Sequence, residues 1–94
     1  MADNFDSQVK SLTDQLQETL LTKNHDYGNS FSKSVEEYGN VVMCIRIGDK
    51  LNRLKTLVRG QEQQVSDESI TDTLMDLAGY AILSLVEIYK EDKK

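Results

Sequence analysis

Between Asp67 and Lys90 the apolar residues recur with a helical period on two sides at once. Ile70, Leu74, Leu77, Ala81, Leu85 and Ile88 make one stripe, and Met75, Ala78, Ile82 and Val86 make a second, roughly 100–120° further round the same helix. A helix bordering solvent needs one apolar stripe, so a helix with two is expected to pack against neighbours on both sides. Ser66 ahead of Asp67 and Glu68 marks its start, because a short side-chain oxygen accepts from the free first-turn amides and the carboxylates favour the positive end of the helix dipole. A chain of 94 residues folded as three or four helices has little left to cover both stripes. The expectation is a small all-α bundle completed by oligomerisation, as a homodimer or homotetramer.

The rest of the chain supplies the other helices. From Asp6 to Lys23, Val9, Leu12, Leu16 and Leu20 fall at steps of three and four with polar residues opposite, and Asp6 or Ser7 is placed to cap that helix. Asn24 to Ser30, NHDYGNS, breaks the period and reads as a loop. Phe31 to Tyr38 reads as a short helix, with Ser34 and Glu37 spaced as a capping box and Gly39-Asn40 ending it. From Val41 to Arg59, Val41, Cys44, Ile45, Gly48, Leu51 and Val58 share one face, and Gly60 follows as a C-terminal glycine should. The polar GQEQQVS connects it to the last helix. Residues 1–94 thus form one helical domain, with 1–5 and 91–94 expected to fray.

Composition narrows the classes of function. Lys and Arg number 11 against 16 Asp and Glu, a formal charge of −5, so neither a nucleic-acid backbone nor an anionic membrane is expected as a partner. The longest strongly apolar stretch, Leu74 to Ile88, contains Asp76, Gly79, Ser84 and Glu87 and falls short of the ~20 apolar residues of a membrane span. MADNFDSQVK has neither the basic nor the apolar region of a signal peptide. A lone cysteine excludes an intramolecular disulfide framework, and Cys44, on the apolar face of its helix, reads as a small buried filler. A cytoplasmic protein is expected.

Three polar clusters are candidates for chemistry. Glu68, Asp72 and Asp76 project from one side of the last helix, where stacked carboxylates suit Mg²⁺, a hard cation that takes oxygen ligands; the plainer alternative is a solvated acidic face. Arg46, Asp49, Lys50 and Arg53 gather three cations and an anion away from the apolar face of the preceding helix. They suit an anion such as phosphate, through the planar fork of Arg and the point charge of Lys, or else a solvated mixed-charge face. The two clusters can also pair, Lys50 or Arg53 with Asp72 or Asp76, in a purely structural role. In the loop, Lys23, His25, Asp26 and Tyr27 sit beside Gly28; Tyr27 suits stacking on a base or sugar, whereas a lone His in a polar loop is ordinarily just solvated.

Taken together, KNHDYGNSF (Lys23 to Phe31), IRIGDKLNRLKTL (Ile45 to Leu57) and DESITDTLMDLAGYAIL (Asp67 to Leu83) resemble the nucleotide modification-associated domain 1 family of phages and bacteria. That family is similar to the all-α nucleoside triphosphate pyrophosphatases of the MazG and dUTPase type. The resemblance implies a bundle that dimerises or tetramerises and handles nucleotide phosphates with Mg²⁺. It carries over Glu68 and Asp72 as the metal-binding E-x-x-x-D of the acidic helix, with Asp76 one turn on. The second acidic motif of those enzymes, E-x-x-E, is replaced here by the helix bearing Arg46, Asp49, Lys50 and Arg53. That replacement removes metal ligands and supplies cations for phosphate, so activation of a hydrolytic water by metal loses its support.

The leading expectation is therefore a helical protein that binds a small nucleotide without cleaving it. Lys50, Arg53 and Arg46 would take phosphates, Tyr27 and Tyr80 the base or ribose, and Asp26, Asp49, Asp72 and Asp76 hydroxyls or amino groups. A phage protein of this kind would sequester a nucleotide, for instance a cyclic signal used in host defence. The alternatives are a Mg²⁺-dependent nucleotide pyrophosphohydrolase or phosphohydrolase, and a structural helical adaptor.

Overall fold

The computed structural model describes the backbone of residues 2–23, 29–60 and 67–92, and the side chains of 4–23, 29–60 and 69–90. Four helices follow one another: α1 (Ala2–Lys23), α2 (Asn29–Tyr38), α3 (Val41–Val58) and α4 (Asp67–Asp92). No strand occurs among the described residues, and the fold is the small all-α bundle that the periodicities predict. Ser66, expected to cap the last helix, and residues 24–28, expected as a loop, lie outside the described residues.

Two helix starts differ from the sequence reading. Helix α1 begins at Ala2, not near Asp6. No Gly or Pro interrupts residues 2–6, so nothing halts propagation toward the N-terminus, and Asp6 and Ser7 lie inside the helix instead of capping it. Helix α2 begins at Asn29, which leaves Ser34 mid-helix, so Ser34 and Glu37 form no capping box. The junction that follows is built on Gly39, whose φ of 87° is the left-handed turn a β-carbon resists. Its amide donates to the Val35 carbonyl at 2.7 Å and closes α2. Gly60 (φ 66°) ends α3 in the same conformation, as expected, with its amide on the Leu57 carbonyl at 3.2 Å.

Helices α3 and α4 form the most extensive pairing, and α1 and α2 lie against them. Beside the partly covered Gly48, the α3 residues withdrawn from solvent are Val42, Met43, Ile47, Lys50, Leu54 and Leu57. The last five step by four and three, a stripe about a third of a turn or more away from the face expected to be buried. Val41, Cys44, Ile45, Leu51 and Val58 are exposed, Ile45 at 54%. Cys44 is therefore not a buried filler. Likewise, α4 turns inward Thr73, Leu77, Tyr80, Ser84 and Glu87, and leaves Leu74, Ile82, Leu85, Val86 and Ile88 exposed. The polar members are internally satisfied. Thr73 donates to the Ser69 carbonyl (2.8 Å) and Ser84 to the Tyr80 carbonyl (2.7 Å).

The apolar centre lies where α2 meets this pair. Phe31, Val35 and Val42 are 3%, 7% and 5% exposed, with Met43, Tyr80 and Leu83 packed around them. The rings of Phe31 and Tyr80 stand 5.6 Å apart and tilted by 51°, a favourable edge-toward-face geometry. Beside this cluster the buried Glu87 accepts from Ser32 Oγ at 3.2 Å and from Lys90 Nζ at 3.0 Å, which ties α2 to α4. Segment Ser69–Lys90 of α4 is long and apolar enough, by length and composition, to cross a membrane, although it carries Asp72, Asp76, Glu87 and Lys90. Phe31→Ala should lower unfolding stability by about 3 kcal/mol, the usual cost of emptying a packed aromatic site. Denaturant unfolding followed by circular dichroism measures it, and a loss below about 1 kcal/mol would show that the bundle does not hang on this cluster.

Candidate functional site

Only the C-terminal half of α1 docks on the α3–α4 pair, and Gly79 sets how closely. A β-carbon built at Gly79 would lie 3.5 Å from Leu20 Cδ2 and 3.9 Å from Leu16 Cδ1, which is ordinary contact distance. A methyl group therefore fits there and a longer side chain does not. With α1 seated against this point, a cleft of about 240 Å³ remains between α1, α3 and α4.

One side of the cleft is apolar, made by Leu16 and Leu20 of α1 and by Met75 and Leu83 of α4. The polar groups converge from all three helices: Lys23 and Thr19 from α1, Lys50 from α3, Asp76 and Tyr80 from α4. Lys50 Nζ and Asp76 Oδ2 stand 3.2 Å apart, and their side chains are 29% and 47% exposed. An ion pair this wet is worth about 1 kcal/mol at most, so its lysine can change partners. Tyr80 is held by the Phe31 ring behind it. The combination is a cation near an anion, a braced aromatic ring and an aliphatic wall, which suits a flat polar ring carrying a negative group.

Of the residues singled out in the sequence, Lys23, Lys50, Asp76 and Tyr80 come together in this cleft. Arg46, Asp49 and Arg53 are exposed on α3 and Asp72 is exposed on α4, and none of the four lines it. His25, Asp26 and Tyr27 lie outside the described residues, as does the side chain of Glu68. The predicted cross-pairing of the charged clusters is realised by Lys50 with Asp76. Among the described residues no three His, Cys, Asp or Glu side chains stand close enough to hold a metal ion. Asp76, one of the two described carboxylates of the Mg²⁺ reading, is engaged by Lys50. The Mg²⁺ reading also needs Glu68, whose side chain lies outside the described residues. Sequence reasoning missed Thr19, and it had Leu16, Leu20 and Met75 as packing residues only; their spacing signals a buried face and not a cleft.

Residues 23–88 match the family described as nucleotide modification associated domain 1. The chain belongs to that family. No curated protein and no solved structure matches it. All four charged or aromatic cleft residues lie within the part matched to the nucleotide modification associated domain, whereas Leu16, Thr19 and Leu20 precede it. The domain thus supplies Lys23, Lys50, Asp76 and Tyr80 together with Met75 and Leu83, and Leu16, Thr19 and Leu20 of α1 complete the cleft from outside it.

Gly79→Ala should leave stability unchanged or raise it by up to about 1 kcal/mol through helix propensity. Gly79→Leu should push α1 off and speed amide hydrogen exchange in Leu12–Lys23, with α3 and α4 still protected. Equal protection of α1 in both variants would contradict the seating described.

Proposed function

We propose that the chain is a nucleotide-binding protein that holds a small phosphate-bearing nucleotide in the α1–α3–α4 cleft without cleaving it. The observation that carries this reading is the convergence of Lys50 and Lys23 with Tyr80 in one cleft of a nucleotide modification associated domain. Lys50 leaves Asp76 for the phosphate, an exchange that costs little because the ion pair is half solvated. Asp76, so released, accepts a hydrogen bond from a ribose hydroxyl or base amino group. Tyr80 and the Leu16–Leu20 wall take the face of the base.

The volume, about 240 Å³, admits a base with part of its sugar and leaves the phosphate toward Lys23 and solvent. His25, Asp26 and Tyr27, next to Lys23 in the sequence, are further candidate ligands by their chemistry alone. Arg46 and Arg53 contribute a longer-range positive field from α3.

Binding without turnover is favoured by the charge of α3. The helix that would carry a second acidic motif in a MazG-type pyrophosphatase carries Arg46, Asp49, Lys50 and Arg53 instead. A protein that retains an intact nucleotide acts by sequestration. In a phage-encoded chain working in the bacterial cytoplasm, the natural target is a signalling nucleotide, cyclic forms included, that host defence depends on.

Calorimetry with mono-, di- and cyclic nucleotides should find one that binds, and Lys50→Ala should weaken it at least tenfold, about 1.4 kcal/mol, while leaving the parent nucleoside nearly unaffected. Ligand released afterwards by denaturation in the presence of Mg²⁺ should be intact. No binding across the panel refutes the reading, and recovery of cleaved product replaces it with a pyrophosphohydrolase or phosphohydrolase.

A further inference from the structure

Lys50 and Asp76 present unlike hydrogen-bonding groups side by side in the wall of the cleft. The ammonium only donates and the carboxylate only accepts, and Nζ and Oδ2 stand 3.2 Å apart. Their backbones belong to α3 and α4, the most extensively packed pair of the fold, so the two heads part only as far as side-chain rotation allows. With hydrogen bonds of about 2.8 Å to each head, an acceptor taken by Lys50 and a donor taken by Asp76 must be close neighbours within one ligand.

Given the nucleotide reading above, on which this step rests, that closeness discriminates among the parts of a nucleotide. Base and phosphate lie at opposite ends with the sugar between them, so with the phosphate on Lys50 the group beside Asp76 belongs to the sugar. Tyr80, one helical turn from Asp76 on α4, is left for the base. A 5′-phosphate is set off from the nearest ribose hydroxyl by an extra carbon arm, whereas a phosphate on the 3′ or 2′ oxygen has the other hydroxyl on the adjacent carbon. That hydroxyl also separates the charges. When Lys50 turns to the phosphate, Asp76 faces a second anion, and the hydroxyl is the donor that stands between them. A 2′-deoxy sugar with a 3′-phosphate offers no such donor and brings the two anions together, a penalty that water reduces without removing because Asp76 is 47% exposed.

We infer that the cleft takes ribonucleotides whose phosphate lies next to a free ribose hydroxyl, with the phosphate on Lys50 and the hydroxyl donating to Asp76, and that it disfavours 5′-monophosphates and 2′-deoxy sugars. Ribonucleoside 3′- and 2′-monophosphates belong to this class, as do ribonucleotides joined through a 3′ or 2′ oxygen. The 2′,3′-cyclic phosphates fall outside it, since both oxygens are esterified. Lys50 thus supplies affinity for any phosphate, and Asp76 supplies the choice among sugars. The choice is enforced in the usual way: a polar group placed to meet a hydroxyl is left unpaired by the analogue that lacks it.

Calorimetry on the full chain tests this with the 3′-, 2′- and 5′-monophosphates of adenosine, guanosine, cytidine and uridine, their 2′-deoxy 3′-monophosphates, and 3′–5′-linked ribodinucleotides with their deoxy counterparts. For at least one base, a ribonucleotide of the proposed class should bind about tenfold or more tighter than its 5′ isomer and its deoxy counterpart. The tighter of the 3′ and 2′ isomers assigns the position of the phosphate. Asp76→Ala should keep the helical circular dichroism, since the side chain is half exposed, and should erase the preference by weakening the ribonucleotide and not the deoxy form. Equal binding of the isomers, or a preference that survives in Asp76→Ala, overturns this inference and leaves the nucleotide reading standing. Absence of binding by all of these probes also overturns it, and the nucleotide reading falls with it only when the 5′-di- and cyclic nucleotides fail to bind as well.

Discussion

A lysine in the middle of an aliphatic seam governs the arrangement of this protein. Met43, Ile47, Leu54 and Leu57 form the inward stripe of α3, and Lys50 occupies the central step of that stripe. An ammonium cannot be sealed between packed helices without a partner and some water, because isolated burial costs several kcal/mol. Asp76 supplies the partner from α4, at 3.2 Å. The water requires that α1 stay off, and α1 touches α4 at Gly79 through Leu16 and Leu20 instead of closing over Lys50. The cleft is the space that this compromise leaves open. Its position follows from where the charge sits in the helical period, and its chemistry follows from the same residue.

Much of this was legible in the sequence, for identifiable reasons. Helix number, order and most ends followed from period and from Gly39 and Gly60. The orientation of α3 did not, because Lys50 divides its true inward stripe and makes the outward set of Val41, Cys44, Ile45 and Leu51 look like the better apolar face. The inward face of α4 was hidden in the same way. Thr73, Ser84 and Glu87 fall on neither apolar stripe of that helix, yet the two hydroxyls bond to their own helix and Glu87 is met by Ser32 and Lys90. Sequence alone does not announce that a polar side chain has its partner inside.

The candidate site was legible residue by residue and not as a set. Lys23, Lys50, Asp76 and Tyr80 were each singled out, but only the docking of α1 shows that they share a cleft and that Arg46, Asp49, Arg53 and Asp72 stand outside its walls. The two apolar stripes of α4, read at the outset as a sign of two neighbours, acquire a more specific meaning. Among the described residues, α1 and α2 lie against one side of α3–α4, while Leu74, Leu85 and Ile88 of α4 stay exposed.

The central claim is that a phosphate-bearing nucleotide occupies the cleft around Lys50. Amide chemical-shift mapping during titration with a bound nucleotide tests it most directly. The account predicts shifts concentrated in Leu16–Lys23, around Lys50 and along Met75–Leu83, with Val41–Ile45 unmoved. Shifts confined to the outer residues Arg46, Asp49 and Arg53, with Gly79 and Tyr80 unchanged, would contradict it.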